Sequence, residues 1–324
     1  MTDTGLNAKR ALKLIPPAKV MNPTNFFHEA QVLKAVEHPN IVRVEETGAM
    51  DDGRIYVAME YLPKGSLEDE ASGAYVEMTR AKRLMIDVLR GLEHAHSQGI
   101  IHRDIKPANI LIGAMQEGKL SDFGLAIPEG LDLQALGVKD YAYILHLAPE
   151  VTRPDKYSCA SDIYACGMTM YRLVNGDNYL PAVSPQDARL LARKGKFPDR
   201  GRYRDFVPRP LRTFINKALS VDPVNRFKSA EIMRHALEQV TIEKNWREKH
   251  FRNGTEWTCG WNQRCYNVIC ESDGRGAWNV TVRKGATRKS LKRIGDLSKS
   301  GMARTAANQW ARRILQDFVL GKLR

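Results

Sequence analysis

Residues 101–111 read Ile101-His102-Arg103-Asp104-Ile105-Lys106-Pro107-Ala108-Asn109-Ile110-Leu111, and Asp122-Phe123-Gly124 follows a short way downstream. The first motif places a carboxylate, an amine and an amide close together, and the second adds another carboxylate. Phosphoryl transfer uses such a set, because one carboxylate accepts a hydroxyl proton while the amide and the other carboxylate hold Mg²⁺. Either motif alone would be weak support, but both in this order and at this spacing are specific.

The two motifs resemble those of the eukaryotic-type (Hanks-type) Ser/Thr protein kinases, a family that also occurs in bacteria and their phages. The resemblance runs from about residue 1 to residue 240, because further stretches match family motifs in the family's order. They are Ala11-Leu12-Lys13, Leu147-Ala148-Pro149-Glu150 and residues 161–167 and 222–227. The resemblance implies an α+β, two-lobed protein kinase fold with a truncated N-terminal β lobe and a helical C-terminal lobe.

The resemblance gives individual residues of the two motifs a role. Asp104 is the implied catalytic base, and Lys106 the implied contact to the γ-phosphate of ATP. Asn109 and Asp122 are the implied ligands of Mg²⁺, with Mn²⁺ as an alternative ion. Lys106 at this position is typical of Ser/Thr kinases rather than tyrosine kinases, so the implied substrate is a Ser or Thr hydroxyl of a protein.

Two charged residues are implied to organise the phosphates of ATP. Lys13 lies on a strand that alternating polarity predicts over residues 8–15, and it would hold the α- and β-phosphates. The apolar spacing of residues 26–36 predicts a helix, on which Glu29 would pair with Lys13. An exposed helix face is the alternative interpretation of Glu29.

The apolar run over residues 55–62 resembles the strand and hinge that receive the adenine. Met59 would be the gatekeeper, and the backbone of Glu60 and Leu62 would bond the base. A run of this kind is also common in protein cores, so its position alone supports the adenine role.

Four further residues are implied to hold the site or to regulate it: Arg103, Glu150, Asp162 and Arg226. Asp162 would anchor the catalytic loop from a buried helix, and Glu150 would form an ion pair with Arg226. Residues 122–150 contain no Ser or Thr, so phosphorylation of such a residue cannot activate this segment. Arg103, which receives the phosphate in phosphorylation-gated kinases, is therefore expected to meet Asp132 or Asp140.

The chain departs from the family pattern at its start and in the segment before Glu150. The family places two strands and a glycine-rich turn ahead of the strand lysine, but 12 residues precede Lys13. That turn covers the phosphates of ATP. A start that lies upstream, a partner chain that supplies the strands, and an impaired enzyme are the three explanations. Tyr143 and His146 also replace the Thr and Tyr that Ser/Thr kinases usually carry, which weakens the prediction of substrate preference.

The composition is that of a globular protein of 324 residues, with 43% hydrophobic and 27% charged residues. No apolar run is long enough to cross a membrane, and the first residues lack the basic and apolar regions of a secretory signal. Five cysteines without such a signal favour reduced thiols. A cytoplasmic protein without a membrane partner is the resulting expectation.

The net charge of +13 is concentrated near the end of the chain. Residues 245–324 contain 17 Lys and Arg against 6 Asp and Glu, a net charge of +11, whereas residues 1–244 carry +2. Such an asymmetry indicates an acidic partner for the basic segment. The predicted domains are accordingly an N-lobe over residues 1–62, a C-lobe over 63–244 and a basic module over 245–324.

Residues 245–324 are predicted to form a small β-β-β-α module. Residues 255–261, 265–270 and 277–282 alternate like strands, and residues 303–320 have the spacing of a helix, while 245–252 is predicted to be a polar connector. This order of elements is similar to that of small DNA-binding modules of integrases and AP2-type factors. The basic run supplies candidate contacts to DNA or RNA, although an acidic protein is also compatible: Arg283, Lys284, Arg288, Lys289, Lys292 and Arg293.

Three functional hypotheses follow from the sequence. The leading one is an ATP-dependent Ser/Thr protein kinase that uses Mg²⁺. The second is a pseudokinase that acts as a scaffold, which the missing glycine-rich turn favours and the complete set of catalytic residues disfavours. The third is a regulator that binds nucleic acid through the basic module and whose kinase activity responds to that binding.

Overall fold

The computed structural model describes residues 1–3, 8–15, 36–72, 75–123, 127–128, 144–152 and 157–323. The chain divides into two compact units. The first comprises Met1–Val76, Ala81–Arg202 and Phe214–Glu238, and the second comprises Glu77–Arg80, Tyr203–Thr213 and Gln239–Arg324. The predicted roles of Glu29, Asp132, Asp140 and Tyr143 concern positions outside the described residues.

A four-stranded antiparallel sheet opens the first unit. Its strands are β1 (Thr2–Asp3), β2 (Ala8–Ile15), β3 (Val44–Ala49) and β4 (Ile55–Glu60), in the spatial order β1-β2-β4-β3. The strand predicted over residues 8–15 is confirmed. Strand β4 is more buried than the strands on either side of it, since Val57 and Ala58 are almost inaccessible to solvent. The register pairs Ala11 with Met59 and Lys13 with Val57, so the pairing places the strand lysine beside the strand of the predicted gatekeeper.

Helices form most of the remaining chain before residue 239. They are α1 (Leu67–Ala71), α2 (Met78–Ser97), α3 (Cys159–Asn175), α4 (Pro185–Arg193), α5 (Arg209–Ala218) and α6 (Ala230–Glu238). Helix α2 buries the stripe Leu84, Val88, Leu92 and Ala95 that its periodicity predicts. Helix α3 is buried along almost its whole length, so it forms the centre of the helical lobe. The two-lobed α+β architecture implied by the resemblance is present.

Short strands frame the residues between α2 and α3. Strand β5 (Ile100–Ile101) pairs with β8 (Ile127–Pro128), and β6 (Ile110–Ile112) forms a hairpin with β7 (Gly118–Leu120). A 3₁₀ turn over Pro107–Asn109 connects the loop to β6. Asp104 and Lys106 therefore lie in a loop that runs from β5 to β6, and the pairing of each of these strands with its partner fixes both ends of the loop.

The second unit is a six-stranded sheet with one helix. The strands are β9 (Arg247–Phe251), β10 (Gly254–Trp261), β11 (Arg264–Ser272), β12 (Trp278–Gly285), β13 (Lys292–Arg293) and β14 (Lys299–Met302), followed by α7 (Arg304–Val319). The spatial order is β13-β12-β11-β10-β9, and β14 also pairs with β12. The three predicted strands and the predicted helix are confirmed.

The prediction of a polar connector over residues 245–252 is wrong. This segment contains β9, which pairs with β10 in antiparallel register. The strand could not be recognised from alternating polarity, because the side chain that it buries is the charged Glu248, which has polar partners. The Glu248 carboxylate accepts hydrogen bonds from Trp257 Nε1 at 2.8 Å and from the Arg204 guanidinium at 2.5 Å. Strands β13 and β14 were also missed, since two and four residues are too short for a period-2 pattern.

The core of the second unit lies between α7 and one face of the sheet. The helix contributes Ala307, Ile314 and Phe318, and the sheet contributes Trp257 and Val268, all of them buried. Among the helices of the described residues, none is long and apolar enough to cross a membrane.

Candidate active site

The loop between β5 and β6 brings three polar side chains of the first motif together. Lys106 Nζ lies 2.6 Å from Asp104 Oδ2. Asn109 Nδ2 donates to the same carboxylate oxygen at 2.9 Å and to the backbone carbonyl of Asp104 at 2.8 Å. Asp104 and Asn109 are buried, so their orientation is set by these bonds and not by solvent. The result is a fixed carboxylate with an ammonium group beside it.

A buried carboxylate on α3 holds this loop from behind. Asp162 is 1% exposed, and its two oxygens accept hydrogen bonds from the backbone amides of His102 and Arg103, each at 2.8 Å. His96 Nε2 lies 2.9 Å from Asp162 Oδ2. Arg103 has a positive φ of 73°, which is uncommon for a residue with a side chain, and the two amide bonds stabilise this conformation.

Opposing effects set the charges of the His96–Asp162 pair. Burial by itself lowers the pKa of His96, but the hydrogen bond to Asp162 and the contact with Cys159 outweigh it and raise the pKa to about 9. Burial likewise opposes the charged form of Asp162, yet the bond from His96 and the nearby His102 lower its pKa below the usual value. Both groups are therefore charged at neutral pH, so the anchor is an ion pair.

The second motif joins the first through the backbone. The amide of Ser121 donates to the carbonyl of Asn109 at 2.9 Å, and His102 Nε2 lies 3.1 Å from the carbonyl of Ser121. Asp122 follows with a positive φ of 61°. Its carboxylate Oδ1 lies 2.8 Å from Lys13 Nζ, on β2. The structure thus brings Lys13, which is far away in sequence, to the carboxylate of the second motif.

The oxygen atoms of Asn109 and Asp122 fit the requirements of a divalent cation. Both hydrogens of Asn109 Nδ2 are directed at Asp104, so the amide oxygen is the atom that remains to bind a cation. Asp122 is partly exposed and supplies a carboxylate. Mg²⁺ prefers oxygen ligands and typically takes one or two from the protein while phosphates and waters complete the shell. Among the described residues there is no cluster of three or more His, Cys, Asp or Glu that could hold a metal alone.

The predicted adenine-binding residues lie at the end of β4. The Glu60 amide donates to the carbonyl of Arg43 at 3.0 Å, and the Leu62 carbonyl accepts from the Gly65 amide at 3.2 Å. The Glu60 carboxylate forms a salt bridge with Lys119 at 2.8 Å. Met59 is half-buried on the same strand. Lys119, which sequence reasoning missed, holds the Glu60 side chain at the end of β4.

Two arginines, Arg226 and Arg189, hold the segment around Glu150. Arg226 binds Glu150 through two parallel contacts of 2.7 Å, which is the expected ion pair. Arg189 on α4 donates to the carbonyls of Leu147 and Ala148 at 3.0 and 2.6 Å, and also to those of Pro149 and Val151. These carbonyls precede and follow Glu150, so the segment cannot shift without breaking several charge-assisted bonds.

Arg172 is a further organising residue that sequence reasoning missed. It is 2% exposed and binds Glu68 of α1 at 2.6 Å and Asp177 at 2.8 Å. Its Nη1 also lies 3.3 Å from His146 Nε2. Burial and the charge of Arg172 lower the pKa of His146, so this imidazole is neutral.

Arg103, for which the resemblance implies a regulatory role, is buried, and its guanidinium lies 5.0 Å from the centre of the Tyr157 ring.

In the second unit, Arg288 and Lys289 lie on a 3₁₀ turn, and Arg283 lies on β12. Lys284, Lys292 and Arg293 line one cleft there. Three of the six predicted nucleic-acid contacts thus line this cleft, and the other three are not among its lining residues.

Comparisons with known proteins match the first unit. The protein kinase domain family matches residues 2–237. The chain is 34% identical over 219 residues to the serine/threonine-protein kinase PknJ of Mycobacterium tuberculosis, which covers 65% of this chain and 37% of PknJ. It is 31% identical over 228 residues to the serine/threonine-protein kinase PrkC of Bacillus subtilis, covering 70% of this chain and 35% of PrkC.

A solved structure is also similar. The Rad53 kinase domain with SCD2 superposes with a TM-score of 0.61 and 27% identity, covering 74% of this chain and 86% of that one. The chain spans little more than a third of the length of the curated relatives PknJ and PrkC.

Proposed function

This chain belongs to the protein kinase family, and on that premise we propose that it transfers the γ-phosphate of ATP to a Ser or Thr hydroxyl of a protein. The observation that carries the proposal is the position of Lys106 and Asn109, each within 3 Å of the Asp104 carboxylate, together with the contact between Lys13 and Asp122. Each of these groups has a task in such a transfer, and each is held by bonds that do not involve the substrate.

Asp104 orients the substrate hydroxyl and accepts its proton as the oxygen attacks the γ-phosphorus. A new P–O bond forms to the substrate, the bond between the γ-phosphorus and the β,γ-bridging oxygen breaks, and ADP leaves with that electron pair. Lys106 and Lys13 offset the negative charge of the phosphates. Asn109 and Asp122 would hold Mg²⁺, which would supply further charge neutralisation at the phosphates. Because the charges of Asp104 and Lys106 are already in position, little reorganisation accompanies the reaction.

ATP binding is part of the same proposal. The adenine would bond the backbone of Glu60 and Leu62 beside Met59, and Glu29 would pair with Lys13 when nucleotide is bound. The alternative function is a pseudokinase that works as a scaffold and binds nucleotide without transferring phosphate.

The test is transfer of labelled phosphate from ATP with Mg²⁺ to a mixture of protein substrates by the purified 1–324 chain. Replacement Asp104→Asn is expected to lower incorporation by about 100-fold or more, because the proton loses its acceptor while the side chain keeps its size. Asp122→Ala is expected to abolish incorporation at low Mg²⁺. Asp51→Asn, which removes a carboxylate from an exposed turn, is the matched control and should retain activity.

Two results would contradict the proposal. Incorporation that survives Asp104→Asn unchanged would show that another protein in the preparation is responsible. No incorporation by the unaltered chain, although ATP with Mg²⁺ raises its melting temperature, would support the pseudokinase function instead.

A further inference from the structure

The second unit contains a basic cleft of about 700 Å³ at one end of its sheet. One wall is the turn between β10 and β11, and the other is the connection between β12 and β13. The basic cleft is lined by Asn262, Gln263, Arg264, Lys284, Gly285, Ala286, Lys292, Arg293 and Ile294. Four of these residues are cationic and none is acidic, so the lining has a single sign of charge.

The sheet register places like charges directly opposite each other beside this cleft. Strand β13 pairs with β12 so that Arg293 faces Arg283 and Lys292 faces Lys284. Like charges at opposed positions of an antiparallel pair destabilise a sheet. Strand β13 has only two residues, and both are placed in repulsive pairs. Successive residues of a strand point to opposite faces of the sheet, so the two pairs lie on opposite faces. An anion close to either pair would reduce its repulsion.

The described residues offer little internal compensation for these charges. Within the part of the chain that the structure describes, no carboxylate lies in salt-bridge distance of Arg264, Lys292 or Arg293, which are all exposed. Burial lowers the pKa of Lys284, and the positive charges of Arg264 and Lys244 lower it further. By contrast, the arginines of the first unit that hold the site are paired with carboxylates or carbonyls.

The walls of the basic cleft are ordered by bonds of their own. The hydroxyl of Ser290 accepts from the Thr287 amide at 2.9 Å, which closes the turn that carries Arg288 and Lys289. Gly285 lies so close to that turn that a Cβ there would be 2.4 Å from the Ser290 carbonyl. A preformed array of cations binds a ligand with less loss of conformational entropy than a flexible run of the same composition.

We propose that the basic cleft binds the phosphodiester backbone of a nucleic acid. A nucleic acid carries one unneutralised charge per phosphate at regular spacing, which suits several cations along one edge of a sheet. A membrane surface or an amphipathic peptide would need a group of apolar side chains to anchor it. The cleft lining contains only two apolar side chains, those of Ala286 and Ile294. The one strongly exposed large hydrophobic residue among the described residues of this unit, Phe251, lies on β9, at the far side of the sheet.

The experiment measures binding of the full 1–324 chain to fluorescent DNA and RNA duplexes of about 20 base pairs over a series of salt concentrations. The cleft variant is Arg264→Gln, Lys292→Gln, Arg293→Gln. The matched control is Lys249→Gln, Arg252→Gln, Arg275→Gln, which removes the same charge from exposed positions outside the cleft lining, on β9 and in two turns at the other end of the strands. Unfolding curves of both variants verify that each remains folded.

Three phosphate contacts at the cleft predict a roughly 40-fold loss of affinity between about 50 and 200 mM salt for the unaltered chain. The cleft variant is expected to bind at least about 10-fold more weakly at the lower salt concentration and to show a salt dependence reduced by two to three phosphate contacts, about 0.9 in slope for each. The control is expected to stay within about twofold of the unaltered chain, because its charges lie away from the bound backbone.

Equal losses in the two variants would overturn the proposal, since charge alone and not the cleft would then govern binding. No binding at about 50 mM salt would also overturn it. A poly-glutamate chain or anionic lipid vesicles that bind as tightly as the duplexes, with the same loss in the cleft variant, would assign the cleft to an acidic protein or a membrane. The same binding measurement is made on Asp104→Asn. Binding that is unchanged in this variant would show that the cleft binds nucleic acid independently of the proposed kinase activity.

Discussion

At the scale of single residues, Asp162 determines where Asp104 lies. The two amides that it binds belong to His102 and Arg103, 60 and 59 residues away in the chain. A buried carboxylate that accepts several hydrogen bonds is stabilised in its charged form, and here His96 supplies a positive partner as well. The catalytic loop is thus held by charge and not by apolar packing alone.

The charge of His96 predicts a pH-dependent stability. Its pKa of about 9 in the folded chain lies above the usual value of 6.5, so the stabilisation is complete below about pH 6.5 and disappears as the pH rises through 9. Each pKa unit corresponds to about 1.4 kcal/mol, and the free energy of unfolding is expected to fall by up to about 3 kcal/mol across this window. Urea unfolding at pH 6.5 and 9.5 measures it.

A glutamine at position 96 removes this titration. His96→Gln should lower stability at pH 6.5 and flatten the dependence on pH, whereas His235→Gln, at an exposed position of α6, should leave both unchanged. The same loss between the two pH values in His96→Gln as in the unaltered chain would show that other groups cause it.

At the scale of elements, arginines fix the segment around Glu150 to the helical lobe. Arg226 has a fully buried guanidinium that binds Glu150 and three backbone carbonyls, those of Ala160, Ser220 and Val221. Arg189 holds the carbonyls on both sides of Glu150. Over residues 144–152, the part of this segment that the structure describes, the only regular element is a 3₁₀ turn at Ile144–His146. The arginine side chains therefore replace the hydrogen bonds that a helix or sheet would provide.

The Glu150–Arg226 pair should therefore be important for stability. Removal of one member of a buried pair typically costs about 3–5 kcal/mol. Without Glu150 the Arg226 guanidinium would stay buried with its three carbonyl partners but with no negative charge beside it. Glu150→Ala is expected to lower the free energy of unfolding by about this amount, measured by urea denaturation. Glu77→Ala, which breaks an exposed pair with Arg247, is the control and should cost less than about 1 kcal/mol. Similar effects in the two variants would contradict the buried-pair argument.

In the second unit, helix α7 depends on one aromatic residue. Phe318 is inaccessible to solvent and contacts the rings of Trp246 and Tyr266, with ring centres 5.8 and 5.1 Å away. Phe318→Ala is expected to cost about 3–5 kcal/mol in unfolding free energy, because it leaves a cavity between helix and sheet. Tryptophan fluorescence during denaturation reports the change. Phe251→Ala, at a side chain 40% exposed, should stay within about 0.5 kcal/mol, and an equal loss there would contradict this view of the core.

At the scale of the whole molecule, the match to the protein kinase family ends close to the point where the chain becomes strongly basic. The match to the protein kinase domain ends at residue 237, and the second compact unit takes its main segment from residue 239 onward. The net charge of +11 lies in residues 245–324, where the basic cleft is found. A nearly neutral catalytic unit and a strongly basic one are therefore joined in one chain, which is the basis for proposing two different partners, a protein substrate and a nucleic acid.

Sequence patterns predicted the elements that have enough residues to show a period. Strand β2, helix α2, strands β10 to β12 and helix α7 lie where their alternation or helical spacing predicted them. Strand β9 escaped prediction because its buried member, Glu248, is charged and is satisfied by Trp257 and Arg204. A pattern of polar and apolar residues cannot identify a strand whose inward side chain is polar.

The sequence by itself determined the family and the candidate catalytic groups, because Asp104, Lys106 and Asn109 lie within six residues and Asp122 follows at a characteristic distance. Short loops bring such neighbours together whatever the rest of the chain does. Only the tertiary structure decided which distant residues hold those groups. Asp162, Arg172 and Arg189 act across long separations in the chain, and the pairing of β13 with β12 brings like charges into one cleft. These contacts depend on packing and register, which no local pattern encodes.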